Sequence, residues 1–261
     1  MISYLILGVV QGLTEFLPVS SSGHLVLVQT LLGLRPPGVV LEACLHLGTA
    51  AAVILVFRRD IAELLRALCV RGTLERRKEI GFLMVATVPI AAIGFLARGR
   101  IDQAFASLRL IGIGWLAVGF LLFLADRAAR RARRRALTFP DALVVGAAQA
   151  VSLLPGFSRS GLTVGAGILR GVEAEKAVRF SFLLSLPALV GAAGVTFVEA
   201  GSSGALAEAD TVGLLLGTAV AFLVGLGAAQ LLLRIVARGR LWVFGVYSLL
   251  VGGAAVLWGG A

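Results

Sequence analysis

Long apolar stretches alternate with short polar connections along most of this chain. Six of these stretches are long enough to cross a bilayer, because a helix that spans the hydrocarbon core needs about 17 to 25 mostly apolar residues. The pattern therefore predicts an all-α polytopic membrane protein, with transmembrane helices over residues 41–57, 80–97, 108–125, 181–198, 212–233 and 241–258.

Two further apolar segments are interrupted by glycine, proline and polar residues, and they repeat each other. Residues 8–23 read GVVQGLTEFLPVSSSG, and residues 146–161 read GAAQAVSLLPGFSRSG. The copies share a glutamine, hydroxyl residues and flanking glycines at matching positions. Such broken segments at corresponding places in two halves of a membrane protein indicate a binding site where the repeats meet.

The composition excludes an ordinary soluble domain. Hydrophobic residues make up 59% of the 261-residue chain, charged residues make up 15%, and the mean hydropathy is +0.98. Soluble domains average about 25% charged residues. The net charge of +10 raises the alternative of a nucleic-acid-binding protein, but the basic residues cluster in connections beside apolar stretches. We interpret them as topology signals and exclude nucleic acid as a partner.

These basic connections predict the topology, because loops rich in arginine and lysine stay on the cytoplasmic side. The connections 98–107 and 199–211 then face outward, and segments 1–34 and 140–170 must each begin and end on one side. We expect both segments to be re-entrant helical hairpins that enter from opposite faces, as in an inverted-topology repeat. The basic connections are residues 58–79, 126–139 and 234–240.

We call segment 1–34 the first hairpin and segment 140–170 the second hairpin. The prediction is a single integral membrane domain over residues 1–261, in which repeat one covers about 1–125 and repeat two about 140–258.

The tip of each hairpin places a serine run at the start of a helix. In the first copy Pro18 stops a helix before the serines at 20–22, and a new helical segment is predicted from Leu25. In the second copy the serines flank Arg159, which adds a positive charge. Free backbone N–H groups and the helix dipole make such a helix start favourable for an anion.

Opposed hairpins can bring Glu15, His24 and Arg159 into one cavity. A charge near the bilayer centre costs about 2.5 to 3.5 kcal/mol on insertion scales, so it is rarely kept unpaired for packing alone. One interpretation is a structural ion pair between Glu15 and Arg159 that joins the hairpins. The many hydroxyl groups and the planar guanidinium favour the other interpretation, a bound anion with several oxygens. The hydroxyl residues are Ser20, Ser21, Ser22, Ser158, Ser160 and Thr163.

The chain resembles the undecaprenyl-diphosphate phosphatase family, also called the bacitracin-resistance proteins, over essentially its whole length. The two signature motifs read QGLTEFLPVSSSGH and PGFSRSGLT here, with intact spacing. The resemblance implies an integral membrane enzyme that removes the terminal phosphate of undecaprenyl diphosphate and so recycles the lipid carrier for peptidoglycan synthesis. It also implies six spans and two re-entrant hairpins, in agreement with the charge pattern.

Carried over by position, the motifs imply a set of site residues. We expect Ser21, Glu15, His24 and Arg159 to be catalytic. Substrate binding is expected from a further set of polar residues, namely Gln11, Ser20, Ser22, Ser158, Ser160 and Thr163.

The resemblance also implies dependence on a divalent cation, Mg²⁺ or Ca²⁺. Glu15 is the candidate ligand, but many members have a second carboxylate where this chain has Gln11. The alternative is that the cation binds through the diphosphate of the substrate.

Two residues are candidates for the nucleophile. Arg159 and the two helix starts are expected to clamp the terminal phosphate. Ser21 is the favoured nucleophile, with Glu15 or His24 as its base, and His24 as the direct phosphate acceptor is the alternative.

His46 lies four residues after Glu42 in the first predicted span; either residue could line the cavity, but we favour a structural pair.

Inverted repeats with broken helices are also a transporter design, so a polyprenyl-phosphate flippase or an anion transporter is the alternative function. The expected partners are a polyprenyl diphosphate lipid and membrane lipids, and a homodimer is left open. The expected location is the cytoplasmic (inner) membrane of a bacterium, with the catalytic pocket open to the extracytoplasmic side and the lipid tail lying between helices.

Overall fold

The computed structural model describes residues 1–33, 39–69, 73–97, 99, 104–105, 107–131, 136–207 and 209–259. Within these residues we find eleven bounded helices and no strand. The helices are α1 (Ile2–Phe16), α2 (Ser21–Leu32), α3 (Val39–Val56), α4 (Arg58–Leu68), α5 (Leu74–Leu96), α6 (Leu108–Ala129), α7 (Phe139–Val151), α8 (Arg159–Leu169), α9 (Ala174–Ser202), α10 (Thr211–Ala237) and α11 (Trp242–Trp258). Arg35, which precedes the first predicted span, lies outside the described residues. So do some charged residues of the connections used for the predicted topology, namely Arg71, Arg98, Arg100, Asp102, Arg133, Arg134, Arg135 and Glu208.

Each of the six predicted apolar stretches forms a helix. Five helices in the described residues, α3, α5, α6, α9 and α10, are long and apolar enough to cross a membrane. The sixth, α11, has 17 residues, which is at the short end of the range for a span. The prediction of an all-helical polytopic membrane protein is confirmed at this level.

The two predicted hairpin segments each contain two short helices. α1 and α2 have 15 and 12 residues, and α7 and α8 have 13 and 11. A helix rises about 1.5 Å per residue, and the hydrocarbon core is about 30 Å thick. None of these four helices is therefore long enough to cross the core alone.

Serine caps begin the second helix of each hairpin. The hydroxyls of Ser20 and Ser158 each accept a hydrogen bond from the backbone N–H three residues on, at 3.4 and 3.1 Å. An N-cap serine satisfies a free donor of the first turn, so the helix can begin at the next residue. The prediction that helix starts at Leu25 was therefore wrong, because α2 already begins at Ser21.

Helix α6 contacts the tips of both hairpins. The indole N–H of Trp115, which is fully buried, donates a hydrogen bond of 2.6 Å to the carbonyl of Val19 in the first tip. One residue earlier, Gly114 packs directly on the backbone of Pro155 and Gly156 in the second tip. One helix thus fixes the two tips relative to each other.

Small residues join each hairpin to a helix from the other half of the chain. Gly8 and Gly12 of α1 lie against the backbone of α10, and Gly146 of α7 lies against Ala86 of α5. Such close backbone contacts are typical of helices in membranes. The apolar region 212–230 of α10 supplies these contacts to α1.

The first prediction concerns the second tip. Gly156 has φ of 81°, and a Cβ there would overlap the carbonyl of Ile111 in α6. Gly156→Ala therefore combines an unfavourable backbone conformation with overpacking, and should lower the free energy of unfolding by about 2 to 4 kcal/mol. Gly239→Ala is the matched control, because Gly239 has φ of 62° and open space around it. Thermal unfolding midpoints in detergent measure both, and equal shifts would contradict the packing argument.

Candidate active site

Both hairpin tips open into one cavity of about 830 Å³. Helices α3, α5 and α9 supply further walls, through apolar side chains such as Ile90 and Leu189. A cavity with a polar end and apolar walls suits an amphipathic ligand. Six of the ten predicted site residues line it, namely Glu15, Ser20, Ser21, Ser22, Ser158 and Arg159.

The carboxylate of Glu15 is the centre of the polar contacts. Its Oε2 accepts hydrogen bonds from Ser21 Oγ at 2.6 Å and from Gln11 Nε2 at 3.0 Å. Its Oε1 accepts a hydrogen bond from Nη2 of Arg159, which lies 144 residues later in the chain. The predicted convergence of the two hairpins is therefore present as a direct ion pair between their tips.

Only part of the Arg159 guanidinium is used by this ion pair. Its Nη1 is buried and has no hydrogen-bond partner in the described part of the chain. A buried donor without an acceptor costs about 1 to 3 kcal/mol, and more for a charged group. Arg159 lines the cavity, and the unpaired donor leaves its guanidinium with hydrogen-bonding capacity that the ion pair does not use.

Three predicted substrate-binding residues lie behind the cavity wall and support it. Gln11 is fully buried and bonds to Glu15. Ser160 donates to the carbonyl of Leu17 at 3.2 Å and so links the two tips. Thr163 donates to the carbonyl of Arg159, one turn back in α8, at 2.7 Å. The geometry gives these three residues supporting contacts.

His24 is held at both ring nitrogens. Nδ1 lies 2.7 Å from the Ser20 carbonyl, which can only accept, so Nδ1 carries the proton. Nε2 then accepts from the hydroxyl of Tyr247 at 2.7 Å, and the two rings stack with centroids 5.7 Å apart. His24 does not line the cavity. It fixes Ser20, which has φ of 68° and is the only non-glycine residue in the described ranges with a positive φ.

No motif or spacing in the chain pointed to Tyr247. It lies 223 residues from His24 on an apolar helix, where a tyrosine alone is typical of a membrane interface.

His46 belongs to the cavity, which was the less favoured interpretation of its spacing from Glu42. Both residues line the cavity. Nδ1 of His46 lies 2.7 Å from the backbone carbonyl of Glu42, so the contact between them does not use the Glu42 carboxylate. Nε2 of His46 lies 3.6 Å from Oε2 of Glu15. His46, which its spacing from Glu42 had assigned to a structural pair, thus contacts Glu15 at the centre of the site.

The described residues do not fit a divalent cation held by the protein alone. No group of three or more histidine, cysteine, aspartate or glutamate side chains comes together as a metal site in them. Three hydrogen bonds already occupy most of the roughly four lone-pair sites of the Glu15 carboxylate, whereas Mg²⁺ and Ca²⁺ take about six or more oxygen ligands. The expectation that Glu15 is a metal ligand therefore finds no support in the geometry.

Comparison with known proteins gives one consistent result. Residues 4–254 match the family model described as bacitracin resistance protein BacA. An undecaprenyl-diphosphatase from Desulfosudis oleivorans is 40% identical, with 97% of this chain and 96% of that protein covered. One from Syntrophotalea carbinolica is 42% identical, with 95% of each chain covered. One from Korarchaeum cryptofilum is 39% identical, also with 95% of each covered.

The second prediction concerns the ion pair between the tips. Glu15→Ala leaves the guanidinium of Arg159 without its counter-charge, and breaking a buried pair in this way costs about 3 to 5 kcal/mol. The thermal unfolding midpoint in detergent should fall, and added pyrophosphate should restore part of the loss. Glu63→Ala is the control, because Glu63 pairs with Arg76 at a half-exposed position where a pair contributes about 0 to 1 kcal/mol. Equal midpoints for the two variants would contradict the prediction.

Proposed function

Because the chain belongs to the BacA family of bacitracin resistance proteins, we propose that it hydrolyses undecaprenyl diphosphate to undecaprenyl phosphate and inorganic phosphate. The observation that carries the proposal is a cavity lined by Arg159, whose guanidinium keeps a nitrogen without a partner in the described residues, and by a hydroxyl bonded to a carboxylate. The product is the lipid carrier for peptidoglycan synthesis. Its recycling is consistent with resistance to bacitracin.

In the proposed mechanism Ser21 is the nucleophile and Glu15 is its base. The 2.6 Å hydrogen bond from Ser21 Oγ to Glu15 Oε2 is already aligned for transfer of the hydroxyl proton. Arg159 Nη1 and the free N–H groups at the starts of α2 and α8 bind the terminal phosphate and neutralise its charge. Phosphoryl transfer is catalysed mainly by such positioning and charge stabilisation.

We assign His24 a positioning role. As a phosphate acceptor it would have to break its bond to either the Ser20 carbonyl or the Tyr247 hydroxyl. As a positioning residue it keeps both bonds and holds the unfavourable backbone conformation of Ser20, directly before the nucleophile. The Ser20 carbonyl fixes the ring tautomer, and the Tyr247 hydroxyl donates to the other ring nitrogen.

A divalent cation is proposed to enter with the diphosphate of the substrate. Magnesium commonly binds through substrate phosphates and keeps several waters. It would supply further charge neutralisation, and no protein ligand is assigned to it. The homodimer stays a prediction.

For the topology we propose six transmembrane helices and two re-entrant hairpins in an inverted repeat. The short α1–α2 and α7–α8 pairs support this arrangement, since none of the four helices can span the core alone. α11 is the shortest of the six proposed spans.

The proposed orientation opens the cavity to the extracytoplasmic side of the bacterial inner membrane. α3 lines the cavity near its start, at Glu42 and His46, and its other end leads into the basic helix α4. α5 begins with a basic turn at Arg76, and it lines the cavity much later, at Ile90. The cavity and the basic, cytoplasmic ends therefore lie at opposite ends of both helices.

The third prediction separates a phosphatase from a transporter that uses the same cavity. Ser21→Ala should abolish release of inorganic phosphate from undecaprenyl diphosphate by the detergent-purified protein, by at least about 10³-fold, because no nucleophile remains. A transporter needs no nucleophile and would keep working. Thr87→Ala is the control, because the Thr87 hydroxyl bonds only to a carbonyl of its own helix. Undiminished phosphate release by Ser21→Ala would remove Ser21 from the mechanism.

The fourth prediction concerns the guanidinium. Arg159→Lys keeps a positive charge but cannot contact Glu15 and a phosphate through two fixed nitrogens at once. We expect phosphate release to fall about 10²-fold or more, as for loss of a donor to a developing negative charge. Arg66→Lys, on the exposed face of α4, serves as the control. Near-normal phosphate release by Arg159→Lys would refute the proposed role of the two guanidinium nitrogens.

A further inference from the structure

If Glu15 keeps the proton that it takes from Ser21, the second half of the proposed reaction uses a different base; this inference rests on the proposed phosphatase activity. In the first half, Ser21 Oγ attacks the terminal phosphorus and its proton passes to Glu15 Oε2. The bond from that phosphorus to the bridging oxygen breaks, and the lipid monophosphate leaves with the bonding electrons. Glu15 is then protonated, so it can return a proton to Ser21 but cannot also take one from water.

His46 is the side chain whose geometry meets this need. Its Nδ1 proton is directed to the carbonyl of Glu42 at 2.7 Å, so in the neutral ring the Nε2 lone pair is free to accept. Nε2 lies 3.6 Å from Glu15 Oε2, the same oxygen that Ser21 Oγ contacts at 2.6 Å. The imidazole is thus beside the position of the phosphoserine, and it lines the cavity from which water would arrive.

The other candidates are less well placed. Both nitrogens of His24 are engaged outside the cavity, with Ser20 and Tyr247. Gln11 has no basic atom. The Glu42 carboxylate also lines the cavity, but no hydrogen bond connects it to Glu15 or Ser21 in the described residues, so it becomes the comparison in the test.

We propose that His46 Nε2 is the general base that activates water against the phosphoserine at Ser21. The water oxygen forms a bond to phosphorus as its proton moves to Nε2. The bond from phosphorus to Ser21 Oγ breaks, and Oγ takes back the proton held by Glu15. Inorganic phosphate leaves, and His46 releases its proton to the phosphate or to solvent, which restores the starting state.

The test uses the full-length protein in detergent and undecaprenyl diphosphate labelled with ³²P in the terminal phosphate. His46→Gln keeps the size and polarity of the side chain but removes the basic nitrogen. We expect a normal first-turnover burst of undecaprenyl phosphate, about one per enzyme, followed by steady-state release of phosphate that is slower by about 10²-fold or more. Acid-stable label should remain on Ser21. Glu42→Gln should hydrolyse the intermediate without accumulating label.

His46→Ala provides a second measurement that a folding defect cannot imitate. In this variant, the ³²P-labelled phosphate trapped on Ser21 should be released when imidazole is added. Steady-state phosphate release by His46→Gln within about fivefold of that of the unmodified protein would overturn the proposal. So would a first-turnover burst reduced by the same factor as the steady-state rate, with no label on the protein. Accumulation of label on Glu42→Gln instead of His46→Gln would also overturn it. Failure of the unmodified protein to release phosphate would instead overturn the proposed function.

Discussion

A carboxylate and a guanidinium stay charged in an apolar interior only when they lie beside one another, and Glu15 and Arg159 meet this condition across the two hairpins. Neither tip could bury its charge alone, so the pairing brings the tips into contact. The ion pair uses Nη2 and leaves Nη1 free. Of the two interpretations of the sequence, the structural pair is present, and the proposed anion site would use the other nitrogen of the same side chain.

The remaining contacts hold Ser21, the proposed nucleophile, beside that pair. α6 anchors the first tip through Trp115 and abuts the second at Gly114. His24 lies edge-on against Trp115, at a centroid distance of 5.0 Å, and its bond to Ser20 stabilises a backbone conformation that a serine rarely adopts. Residues from three distant parts of the chain thus fix one hydroxyl, which is the pre-organisation that phosphoryl transfer requires.

The sequence was informative wherever a local rule applied. Length and apolarity located all six long stretches, and the repeated serine and proline pattern located both tips, because these features depend on neighbours in the chain. The helix start was placed too late because hydrophobicity says nothing about a serine cap. Tyr247 was missed, and His46 was assigned to a structural pair instead of the cavity, because both roles depend on which helices pack together. A spacing of four residues says that two side chains share a face, but not what that face contacts.

Each half of the chain packs against a helix of the other half, and this limits when these contacts can form during synthesis. α1 packs on α10, which begins at Thr211. At roughly 5 to 20 residues per second, synthesis of the intervening chain takes roughly 10 to 40 seconds. During that interval Gln11 and Glu15 are already made, while the surface that will cover their helix does not yet exist. The polar face of α1 must therefore be tolerated, for that interval, without the later helices that pack around it in the folded protein.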